Sequence, residues 1–198
     1  MAVPPLVLAS ASPARLQTLR SAGLDPEVLV SGVDETQVTG PPPELALELA
    51  RRKARAVAAL RPDALVVGCD SVLELDGRAL GKPRDADDAR ARWREMRGRS
   101  GVLHTGHCAV LGGRELARGA ATTVHFAQVS DEEVEAYVAT GEPLAVAGAF
   151  TVDGLGGAFV TGVEGDPHNV VGISLPLLRV LLGELGVAWP SLWRRAHG

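Results

Sequence analysis

DALVVGCDSVLELDG, residues 63–77, changes pattern in its middle. It is apolar as far as Cys69, then alternates from Asp70 to Leu75 and turns at Asp76-Gly77. This predicts a central strand that runs on into a hairpin. Elements of both kinds lie on either side of it. PLVLAS (5–10) reads as a buried strand, PARLQTLRSAG (13–23) as a helix closed by Gly23, and PEVLVSG (26–32) as a second short strand. GPPPELALELARRKARAVAALRP (40–62) is a long helix bracketed by prolines. Downstream, DADDARARWREMRG (85–98) is a helix with acids in its first turn. Residues 101–129 form two long strands joined at Gly112-Gly113. SDEEVEAYVAT (130–140) is a helix with Ser130 and Glu133 as a capping box. GAFVTGV (157–163) is a strand, and SLPLLRVLLGELG (174–186) is a last helix. The alternation predicts a single α/β domain over residues 1–198, a mixed β-sheet flanked by helices, with the middle antiparallel pair able to form a second lobe.

Composition bounds the function. The chain has 198 residues, 46% hydrophobic and 4% aromatic, so the core is expected to be Ala, Val and Leu. With 22% charged residues it is not a disordered chain. A net charge of -4 argues against a broad nucleic-acid face, although a local basic pocket stays open. Cys69 and Cys108 have no metal or redox spacing. Neither a signal peptide nor a run of membrane-spanning length is read in the chain, which suggests a soluble, cytoplasmic protein.

Four clusters carry polar chemistry. In LASASPARLQTLRSAGL (8–24), Ser12 reads as N-cap and Pro13 as the first helical residue, followed by Arg15 with no acid. A cation at the positive end of a helix is unfavourable in isolation. With Ser10, Ser12 and free amides it makes a phosphate site; the plain alternative is an arginine facing solvent. In VVGCDSV, Asp70 ends an apolar run where sheets open into clefts, so it suits a metal ligand or a base; otherwise it caps a turn beside Ser71. Cys69 reads as a buried structural thiol. In LGKPRDADDA, Lys82 sits in a stiff loop before Pro83; it is one of two lysines, with Lys53. Asp34 and Glu35 follow a strand, and most charges on the long helix read as solvated. His104 and His107 fall on opposite strand faces, while His125, His168 and His197 stand alone, so a histidine zinc site is not expected. DGLGG and EGDPHNVVG fit neither a dinucleotide fingerprint nor a P-loop and suggest tight turns.

Taken together and in order, LASASPARLQTLRSAGL, VDE, ARRKARA, GCDSV, LGKPRDADDA, TGEPLAVAGAFTVDGLGG and EGDPHNVVGISLPLLR resemble the Maf family of nucleoside triphosphate pyrophosphatases from Leu6 to about Val187. The resemblance implies an α/β fold of two lobes with a central cleft, similar to inosine triphosphate pyrophosphatases. It implies cleavage of a nucleoside triphosphate between the α and β phosphates with a divalent cation, Mg2+ or Mn2+. Non-canonical or selected nucleotides would be the substrates, cleared from the pool as house-cleaning. Asp70 matches the family's proton acceptor. Ser10, Ser12, Arg15, Glu35, Lys53 and Lys82 match its polar cleft residues. Arg15, Lys53 and Lys82 would neutralise phosphate charge, and Glu35 and Asp70 would hold the metal. Family members are often dimers, which implies a homodimer, and some are linked to arrest of septum formation.

The chain departs from the family's pattern at Ala14, which replaces an arginine of Ser-Pro-Arg-Arg. At the two positions tied to base choice, Ser71 and Asp153 match neither the Thr and Gln of the dTTP and UTP subgroup nor the Gln and Glu of the 7-methyl-GTP subgroup. The base is therefore open. Two other readings compete: a non-catalytic nucleotide-binding regulator of cell division, which needs no Asp70, and a nucleotidyltransferase, which needs a sugar phosphate.

Overall fold

A computed structural model describes residues 3–194. One seven-stranded sheet organises it. Its strands are β1 (Leu6–Leu8), β2 (Glu27–Val28), β3 (Leu65–Leu75), β4 (Arg78–Leu80), β5 (Ser100–Leu111), β6 (Arg114–Phe126) and β7 (Val160–Glu164). Their order is β2-β1-β3-β5-β6-β7, with β4 against the far end of β3. β1 runs parallel to β2 and β3, and the other pairs are antiparallel. The helices are α1 (Pro13–Ser21), α2 (Pro42–Leu60), α3 (Ala86–Met96), α4 (Asp131–Ala139), α5 (Pro167–Val171) and α6 (Leu175–Glu184).

The 63–77 stretch is the central strand and hairpin expected from its pattern. Of PEVLVSG, only Glu27 and Val28 pair as strand. The last strand starts at Val160 because Leu155–Phe159 close into a 3-10 turn. His197 lies outside the described residues. Among the described residues no helix is long and apolar enough to cross a membrane.

β5 and β6 do not form a sheet of their own. They extend the sheet of β1 and β3, so one sheet carries cores at both ends. At the β1 end, α2 lays Ala46, Ala50, Ala54 and Val57 on one face, over Val7 and Val66. α1 and α6 cover the other face with leucines. The Ala-Val-Leu core expected from composition holds here. At the far end Leu, Val and Ala again make up most of the core, joined by aromatics: Trp93 packs edge-on against Phe126, Tyr137 and Phe159, at 5.8, 5.5 and 5.7 Å between ring centroids. The scarce aromatics are concentrated here, under α3 and α4.

Strand parity and two glycines place the site. Residues of β3 point alternately to the two faces. Gly68 and Asp70 therefore face α2, while Cys69 and Ser71 face α1. A Cβ at Gly68 would lie 2.6 Å from the Ala50 carbonyl oxygen, and one at Gly106 would run into the Ala46 carbonyl. Both glycines let α2 settle directly on the sheet.

Candidate active site

β1 leaves the sheet after Ala9, whose amide donates to the Val67 carbonyl at 2.8 Å. β3 continues beyond that point, and a cleft of about 600 Å³ opens there. The nine residues named as candidate site residues line it: Ser10, Ser12, Arg15, Glu35, Lys53, Asp70, Ser71, Lys82 and Asp153.

Arg15 forms part of the floor. Ser12 caps α1 and Pro13 occupies its first turn, with no acid there. Arg15 does not face solvent; it is 9% exposed. Its Nε donates to the Gly172 carbonyl at 2.7 Å, Nη1 to Ser10 Oγ at 3.0 Å and Nη2 to Ser71 Oγ at 3.0 Å. These partners fix the fork in one orientation and none of them carries charge. The line of bonds continues: Ser71 Oγ lies 2.9 Å from Thr105 Oγ1, which donates to the Asn169 carbonyl at 3.3 Å. Either hydroxyl of the Ser71–Thr105 pair can be the donor.

On the α2 side most charges are solvent-facing, as expected, and Lys53 is the exception. Its side chain is 11% exposed and turns inward, with Nζ 2.5 Å from Asp70 Oδ1 and 2.6 Å from Glu35 Oε1. Glu35 reaches it from a 3-10 turn capped by Asp34. Burial lifts the Asp70 carboxyl above its ordinary value, while Lys53 and Arg15 pull it back only in part. A carboxylate of raised basicity is suited to accept a proton. Cys69 beside it is a poor nucleophile, since burial pushes its thiol up to about 12. Cys69 and Cys108 are both free thiols.

Glu35 and Asp70 are the hard oxygen donors on this side of the cleft. Each turns one oxygen to the Lys53 ammonium, and among the described residues no group of three or more His, Cys, Asp or Glu is placed to hold a metal. Mg2+ commonly takes one or two carboxylates, its other ligands being water and substrate phosphates.

Lys82 lines the cleft as an exposed residue, and its loop is held by Arg92, which donates to the Gly81 carbonyl at 2.6 Å. Asp153 stands exposed on the loop after Phe150. Several residues that build the site had no local signal in the sequence. Thr105 and His107 read as ordinary strand positions, yet both are fully buried. His107 Nδ1 lies 3.1 Å from the Thr105 carbonyl, and its Nε2 accepts from the Ser174 amide at 2.7 Å, which fixes the turn carrying the Gly172 carbonyl. Glu142 has no signal of its own in the sequence; its carboxylate ties down the Asp153 loop.

The family profile described as "Maf-like protein" matches residues 5–185. A protein of Salinispora tropica named nucleoside triphosphate pyrophosphatase is 63% identical, over 96% of this chain and 88% of its own. One of Streptomyces coelicolor with the same name is 60% identical, over 97% and 96%. A third of that name, from Nocardia farcinica, is 58% identical, over 96% of each chain. The solved structure of the Staphylococcus aureus Ham1 protein aligns with a TM-score of 0.47 and 13% identity, over 96% of this chain and 93% of that one.

Proposed function

Because the chain belongs to the Maf-like protein family, we propose, from that premise and the cleft, that it is a nucleoside triphosphate pyrophosphatase that hydrolyses its substrate between the α and β phosphates. The products are a nucleoside monophosphate and pyrophosphate. One observation carries the reading at the level of the site. Arg15 is a buried guanidinium whose partners are two hydroxyls and a carbonyl, at the floor of a cleft that also holds Lys53 and Lys82. A buried guanidinium bonded to no carboxylate is costly, and a phosphate chain supplies an anion at its fork.

The residues divide the work as follows. Arg15, Lys82 and the amides at the start of α1 bind the phosphates, and Ser10 and Ser12 add hydroxyls. Asp70 accepts the proton of the attacking water. The bond from phosphorus to the bridging oxygen then breaks, and pyrophosphate leaves. Lys53 holds the Asp70 and Glu35 carboxylates together and keeps Asp70 ionised. Glu35 and Asp70 would also hold Mg2+ or Mn2+, which supplies charge neutralisation and a more acidic bound water. Ser71 and Asp153 face the base, and Asp153 can accept from a ring N–H or an amino group. Selected or non-canonical nucleotides are the substrates on this reading. We place the reaction in the cytoplasm on free nucleotides, with a homodimer as the assembly.

The test is a nucleotide panel with Mg2+ or Mn2+: the common triphosphates, dTTP, 5-methyl-UTP, pseudouridine triphosphate and 7-methyl-GTP. Pyrophosphate and monophosphate should appear in equal amounts, and Asp70→Asn should lower the rate about 10²–10⁴-fold. Orthophosphate with a diphosphate, or no turnover on any nucleotide, would sink the reading.

A further inference from the structure

Glu142 lies outside the phosphate site, in the 3-10 turn Glu142–Ala145 after α4. Every described partner of its carboxylate is a donor. Oε1 accepts from Tyr137 Oη at 2.9 Å, Thr151 Oγ1 at 2.5 Å and the Gly156 amide at 3.0 Å. Oε2 accepts from the Leu155 amide at 3.0 Å. Tyr137 adds a second tie, since its hydroxyl oxygen accepts from the Thr151 amide at 3.3 Å. The chain from Thr151 to Gly156 is thus wrapped round one carboxylate, with Asp153 in its middle, on the rim of the cleft.

The same wrapping explains a run that fitted no nucleotide-binding motif. In DGLGG, a Cβ at Gly154 would lie 2.6 Å from Glu142 Oε2, and one at Gly156 would collide with the Tyr137 hydroxyl. These glycines let the backbone close on the carboxylate. The bonds also hold the Glu142 carboxyl down at about 2, against the opposing effect of burial, so it is ionised throughout the neutral range.

We propose that Glu142 is a positioning residue for base recognition: its carboxylate sets where the Thr151–Gly156 loop holds Asp153, and so which nucleotide is preferred. The inference rests on the pyrophosphatase reading and deepens it. Glu142 touches neither Asp70 nor Lys53, so its removal acts on discrimination rather than on the chemical step.

The experiment compares wild type, Glu142→Gln, Glu142→Ala and Tyr137→Phe. In Glu142→Gln an amide N–H₂ must face one of four donors, which loosens the loop at nearly constant shape. Tyr137→Phe cuts the ties from within α4, away from the cleft, and decides the matter if the Glu142 variants fail to fold. For the favoured nucleotide, KM should rise about tenfold with kcat changed less than about threefold. The kcat/KM ratio between the favoured nucleotide and the next should narrow about tenfold. An equal fall of kcat on all nucleotides, with KM and the ratios unchanged, would overturn the inference, as would no change. Amide hydrogen exchange at Leu155 and Gly156 reads the loop without turnover: faster exchange in the variants is expected, and unchanged protection overturns the inference even if the wild type cleaves nothing. An inactive wild type with loosened variants would instead count against the pyrophosphatase reading alone.

Discussion

Lys53 on α2 and Asp70 on β3 meet at 2.5 Å, and the same ammonium lies 2.6 Å from Glu35. One point charge therefore holds two carboxylates together. In Lys53→Met they lose it, and pyrophosphate release should fall about 10²-fold or more. Lys53→Arg should not restore the rate, because a planar fork cannot sit at one point between two carboxylates. Wild-type rates in either variant would remove Lys53 from the mechanism.

Arg15 is held by three separate acceptors, so charge alone cannot replace it. In Arg15→Lys, KM for the nucleotide should rise about tenfold or more, since a single ammonium cannot reproduce the fork. Stability should drop by about 1–3 kcal/mol as buried acceptors lose their donor. Steady-state kinetics and urea unfolding check the two halves separately.

Gly68 sits under α2 with no room for a side chain. In Gly68→Ala, the Cβ meets the Ala50 carbonyl oxygen at 2.6 Å and the Ala54 amide nitrogen at 2.7 Å, both backbone atoms. The helix must lift, at a cost of about 1–3 kcal/mol. Because α2 carries Lys53, turnover should fall along with the melting temperature. A stable variant with impaired turnover is not expected, and finding one would separate the two effects.

Stability should depend on acid through His107. Burial, and secondarily the Arg15 charge, pull its pKa from 6.5 to about 4 in the folded chain. Between those values the unfolded chain binds a proton that the folded chain refuses. The stability associated with neutral His107 is complete above about pH 6.5 and is lost as pH falls towards 4. Urea unfolding across that window should show a slope that is shallower by about one proton in His107→Gln. An identical slope in variant and wild type would mean that His107 is not the group responsible.

Much of the site was legible locally. Ser12, Pro13 and Arg15 stood at a helix start with the wrong charge for an isolated helix, and the structure places that cation at the floor of the cleft. Asp70 stood at a change of pattern, and the structure puts it where β1 leaves the sheet. Lys53 was not legible from its own helix, where it follows two arginines; it turns inward because Gly68 and Gly106 let α2 approach the sheet. Glu142 was not legible either, since its four partners come from α4 and a loop that folds back over it.

The sequence by itself determined the alternation of strands and helices, the caps at Ser12 and Ser130, the central strand and its hairpin, and the order of motifs that marks the family. These depend on neighbours a few residues apart, where periodicity and capping act. The tertiary structure decided which face each polar group serves. Strand parity sends Asp70 towards α2 and Ser71 towards α1, helix docking brings Lys53 to Asp70, and loop closure round Glu142 holds Asp153 on the rim. Those relations join residues far apart in the chain, and only the packing of α2 and the loops on the sheet brings them within hydrogen-bond reach.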